Sequence, residues 1–66
     1  MRIIVNGQPE NADAEVTVAL LIEAHNLQPL RVAVEVNEKL VRRRDFEQTQ
    51  LHADDRVEIV TFVGGG

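Results

Sequence analysis

The spacing of apolar positions along this chain switches between two and three-to-four, and the switches mark its elements. Ile3, Ile4 and Val5 lead into Asn6-Gly7, a dipeptide whose tolerance of positive φ suits a two-residue type I′ turn, so a hairpin opens the fold. Its second strand is short and polar. Pro9 within it lacks the N–H that a central strand must donate, which places this strand at the sheet margin. From Thr17 the period lengthens, with Val18, Leu21, Ile22 and His25 at i, i+3, i+4 and i+7. With Thr17 as cap, this predicts a helix of about three turns. Asn26 suits a left-handed stop, and Pro29 prevents resumption. Leu20 lies off the apolar stripe, so it either widens the buried face or stands exposed.

Period two then returns. Val32, Val34 and Val36 alternate with Ala33, Glu35 and Asn37, as in a half-buried strand. Asn37-Glu38 turns the chain and Lys39 to Arg42 reads as a short return strand. One helical turn over Arg44 to Gln48 buries Phe46, and Leu51 anchors the stretch after it. After a turn at Ala53-Asp54-Asp55, a last strand sets Val57, Ile59, Thr61 and Val63 against Glu58, Val60 and Phe62. The economical assembly is an α+β fold: one main helix across one face of a mixed sheet of four to five strands. The long intervening chain allows the first and last strands to pair in parallel at its centre.

Composition narrows the function classes. Sixty-six residues make one domain, and so small a domain buries only about 60% of its unfolded surface, which leaves little room for an enclosed active site. Apolar residues at 44% and charged residues at 27% fit a folded globule. The chain has no cysteine, hence no disulfide or thiolate zinc site. His25 on the helix stripe and His52 in a polar loop read as boundary and surface residues, with no metal site expected. Asp54-Asp55 are turn neighbours that point apart, not an acid–base pair. A net charge of −4, one basic run (Arg42, Arg43, Arg44) and only two aromatics, Phe46 and Phe62, exclude a nucleic-acid reader. No apolar run is long enough for a signal peptide or a membrane span, so a cytoplasmic protein is expected, with no cofactor and no catalytic residue.

The chemistry concentrates at Val63-Gly64-Gly65-Gly66. The expected organisation is a domain over residues 1–63 and a flexible glycine tail over 64–66. A backbone without side chains threads a narrow slot and presents a bare carboxylate. Such a carboxylate titrates at about 3.3 to 3.7 and is a poor electrophile until another molecule activates it. Docking also needs a surface. Val60 and Phe62, with Ile4 on the neighbouring strand, fall on the wrong parity for the core and form a candidate apolar patch, and Glu58 beside them would steer a basic partner.

Taken together, Asn6-Gly7, Thr17-Val18, Val32-Ala33-Val34-Glu35-Val36-Asn37, Arg56-Val57-Glu58-Ile59-Val60 and Val63-Gly64-Gly65-Gly66 resemble the thiamine-biosynthesis sulfur-carrier family (ThiS), a ubiquitin-like β-grasp. The likeness spans essentially the whole chain, and the last strand running into glycines is its most specific part. Two positions depart from the family pattern. Arg42-Arg43 stands where members often have Pro-Arg, and Ala53-Asp54-Asp55 where they often have Gly-Asp. The resemblance implies that the Gly66 carboxylate is adenylated by a ubiquitin-activating-like adenylyltransferase. It is then converted to a thiocarboxylate with sulfur from a cysteine desulfurase pathway, and a thiazole synthase accepts that sulfur. The protein would be a substrate and not an enzyme. The alternatives are the small subunit of molybdopterin synthase, another thiocarboxylate carrier, or a noncovalent ubiquitin-like interaction module. Deleting Gly65 and Gly66 separates the last from the rest, because a module keeps its activity and a carrier loses it.

Overall fold

The computed structural model describes residues 1–62. Five strands form one sheet in the order β2-β1-β5-β3-β4: β1 (Arg2–Val5), β2 (Gln8–Asn11), β3 (Val32–Val36), β4 (Lys39–Val41) and β5 (Arg56–Thr61). The central pair, β1 and β5, is parallel and every other pairing is antiparallel. One helix, α1 (Val18–Ala24), crosses one face, which is the β-grasp arrangement expected from the resemblance. The boundary expected between residues 63 and 64 lies outside the described residues.

Turn chemistry sets the hairpins. Asn6 (φ 50°) and Gly7 (φ 82°) are both left-handed, so the right-handed twist continues through the two-residue turn and Val5 meets Gln8. The same geometry recurs at Asn37 (φ 52°) and Glu38 (φ 70°), which brings Val36 opposite Lys39. Pro9 sits on the edge strand β2, as its missing N–H requires.

The helix is shorter than its apolar pattern suggests, seven residues in place of about three turns. The Thr17 hydroxyl accepts the Leu20 N–H at 3.2 Å, as expected of a cap. At the other end His25 has left the helical conformation and Asn26 takes φ 59°, so the last position of the stripe serves as the cap. The remaining N-terminal donors are met from far along the chain. Val18 N–H donates to the Thr49 carbonyl and Ala19 N–H to the Phe46 carbonyl, both at 2.9 Å. Leu51 N–H donates to the Val16 carbonyl, so the stretch from Phe46 to Leu51 is laced to the start of the helix. The helical turn expected at Arg44 to Gln48 is a 3₁₀ turn one residue earlier, Arg43–Asp45, and it delivers Phe46 to the core.

Between sheet and helix lie Ile3, Val5, Val18, Leu21, Ile22, Val34, Phe46, Leu51 and Val57 with their neighbours, all buried. Each such side chain contributes about 1.5 to 3 kcal/mol relative to exposure. Leu20 is exposed, which settles the ambiguity at that position. At the two departures from the family pattern the backbone takes angles that the family's own residues would also adopt. Arg42 adopts φ −74°, close to the angle a proline would impose. Asp54 takes φ 67°, a left-handed conformation that glycine would also supply.

Candidate functional site

The last strand organises the site. β5 lies between β1 and β3, with Val57 and Ile59 pointing into the core and Arg56, Glu58 and Val60 on the face away from the helix. Two asparagines brace it. β1 ends at Val5 opposite Val57, and there the Asn6 side chain takes over as a surrogate strand. Its Oδ1 accepts the Ile59 N–H at 2.7 Å and its Nδ2 donates to the Ile59 carbonyl at 3.2 Å. On the other side the Asn37 Oδ1 accepts the Arg56 N–H at 3.0 Å. Beyond Thr61 the ladder to β3 persists, with Phe62 N–H donating to the Arg31 carbonyl at 2.8 Å. The chain is therefore held in register up to residue 62 and directed toward Val63, Gly64, Gly65 and Gly66, which lie outside the described residues.

Val60 and Phe62 are both more than half exposed, as their parity predicts. Ile4 does not join them. The register sets Ile4 beside Arg56, four residues before Val60, a separation of about 13 Å along a strand, and Ile4 itself is half-buried. The patch expected from Val60, Phe62 and Ile4 is thus corrected: it extends toward β3 and β4 and not toward β1. Ala33 stands opposite Val60, Leu40 on β4 is exposed on the same face, and Phe62 lines a shallow recess with Leu30, Gln28 and Arg31. Leu40 was legible in principle, because the two-residue turn at Asn37-Glu38 fixes Leu40 opposite Glu35. Leu30 carried no periodic signal.

Glu58 is exposed and directly opposite Glu35, so two carboxylates share the middle of the outer face. Like charges so placed cost stability, and the exposed Arg56 shares that face with them. The other polar candidates have structural partners. Asp54 accepts from the Arg2 guanidinium at 3.0 Å, and Asp55 accepts the His52 N–H at 2.7 Å and the Asn37 Nδ2 at 3.0 Å, so the two neighbours do point apart. His25 Nε2 lies 2.9 Å from Glu10, and His52 is exposed beside Asp55. No helix among the described residues is long and apolar enough to cross a membrane.

Comparison with known proteins addresses the same stretch. Residues 3–66 match the profile of the ThiS family. The crystal structure of the thiamine biosynthesis protein (ThiS) from Geobacter metallireducens superposes with a TM-score of 0.84 at 35% identity, covering 100% of both chains. A thiazole synthase from Magnetococcus marinus is 41% identical over 66 residues, and this chain spans 20% of that protein's length. An uncharacterized protein, ycf40, from Porphyra purpurea is 36% identical over 64 residues, 97% of this chain and 90% of its own.

Proposed function

The chain belongs to the ThiS family, and from that premise we propose that it carries sulfur in thiamine biosynthesis as a protein substrate and not as an enzyme. The observation that carries this reading is the reach of the family match through residue 66, so that it includes Gly64, Gly65 and Gly66. In the proposed reaction an oxygen of the Gly66 carboxylate attacks the α-phosphorus of ATP on a ubiquitin-activating-like adenylyltransferase, and pyrophosphate leaves. Sulfur from a cysteine desulfurase pathway then attacks the acyl carbon of the adenylate and AMP departs with the electron pair of the broken C–O bond. Where that sulfur arrives as a protein persulfide, a thiol reduces the resulting acyl disulfide and releases the thiocarboxylate. A thiazole synthase accepts the sulfur, a partner suggested by the relatives that bear that name.

The partners would seat on the outer face, with Val60 and Phe62 as apolar anchors, Leu40 and Leu30 beside them and Glu58 with Glu35 attracting a basic surface. Glycines at 64 and 65 leave no Cβ to obstruct entry into a narrow active-site slot. The test is incubation with the activating enzyme, ATP and a sulfur source, followed by intact mass analysis. Exchange of one oxygen for sulfur at Gly66 supports the reading, and an unchanged mass with an enzyme proven active on another carrier contradicts it.

A further inference from the structure

The opposite side of the molecule carries a groove that sulfur delivery from the terminus does not use. It opens between the edge strand β2 and α1 and has a volume of about 900 Å³. Its depth comes from small side chains, Ala12 and Ala14 on the connecting loop and Ala24 at the end of the helix. Leu20, which the helix stripe would leave without a role, forms one wall and is 52% exposed. Glu10, Asp13 and Glu15 stand around it, and of these only Glu10 has a partner among the described residues, His25. The N-terminal ammonium reaches one end of the groove, donating to the Ala12 carbonyl at 2.7 Å, while Lys39 lies on the opposite edge strand and, among the described residues, no cation forms a salt bridge with Asp13 or Glu15.

We propose that this groove docks a segment of a partner protein in which one or two large apolar side chains are flanked by lysine or arginine. The apolar floor takes the hydrophobic side chains and the acidic rim pairs with the flanking cations, which is the complementarity that selects such a segment over a neutral or acidic one. Recognition is through side chains and not through strand addition. Gln8 and Glu10 turn their backbone groups inward to β1, leaving Pro9 and Asn11 to face the free edge, and Pro9 has no N–H to give.

Location makes the groove useful alongside the terminus. β5 runs parallel to β1 and leaves past the Asn6-Gly7 end, whereas the groove adjoins the start of β1, where Ala12 N–H donates to the Met1 carbonyl at 2.8 Å. The two features thus lie toward opposite ends of β1, so a partner held in the groove leaves the exit of β5 free for an enzyme.

The test is a titration of the full-length, ¹⁵N-labelled chain with acetyl-Lys-Arg-Leu-Phe-Lys-Arg-amide, followed by NMR. Shifts confined to Asn11 to Val16 and to Leu20 and Ala24 are expected, weakening as salt is added. The double substitution Asp13→Lys with Glu15→Lys, at two exposed positions, should leave the amide spectrum of the core unchanged and weaken binding by about tenfold or more. Peptides with Glu-Asp in place of Lys-Arg, or Ser-Ser in place of Leu-Phe, should produce no shifts. Absence of shifts at millimolar peptide, shifts centred on Val60 and Phe62, or undiminished binding by the charge-reversed variant would each overturn the proposal.

Discussion

At the scale of single residues, two asparagines do more than turn the chain. Asn6 and Asn37 occupy left-handed turn positions that favour their type, and both also reach across to hold the backbone of β5, at Ile59 and Arg56. The turn role is visible in the sequence because it depends on neighbours in the chain. The bracing role is not, since Asn6 and Ile59 are 53 residues apart and meet only through the parallel pairing of β1 and β5. Substituting Asn6→Gly separates the two roles, because glycine keeps the left-handed backbone and removes the amide. The Ile59 N–H and carbonyl then lose their partners, for an expected cost of about 1 to 3 kcal/mol in urea unfolding. Amide exchange at Ile59 should accelerate more than at Val34, which lies on the neighbouring β3.

At the scale of elements, the helix depends on a segment it does not touch in sequence. Thr17, Phe46 and Thr49 together satisfy the first free donors of α1, so the stretch from Phe46 to Leu51 is part of the helix's capping structure. Thr17→Ala removes one of these contacts and should lower stability by about 1 kcal/mol. A thermal melt compared with the parent chain checks it. The succession of elements along the chain and most of the core were legible from apolar parity and turn residues, the edge position of β2 from a missing N–H, and the central parallel pair from the length of chain between the first and last strands. What escaped was register and length. Periodicity places Ile4 on the outer face but says nothing of how far along β5 it falls, and it counts His25 as helix although the chain has already begun to turn toward Glu10.

At the scale of the whole molecule, the fold divides into a helix side with the groove and a sheet side with Val60, Phe62 and the glutamate pair. If the sheet side seats the activating enzyme, Val60→Asp and Phe62→Asp should raise KM with kcat little changed. Burial of each anchor is worth about 1.5 to 3 kcal/mol, so the increase is about tenfold or more per site. Fold stability should move by less than about 0.5 kcal/mol, because both side chains are already exposed. A matching rise in unfolding would instead assign these residues to packing. Chemistry at Gly66 is open to fragment-resolved mass spectrometry after reaction with the activating enzyme, ATP and a sulfur source. One oxygen is expected to be replaced by sulfur in the fragment containing Gly66 and nowhere else. An unmodified Gly66 fragment, under conditions where the same enzyme charges another carrier, would contradict it.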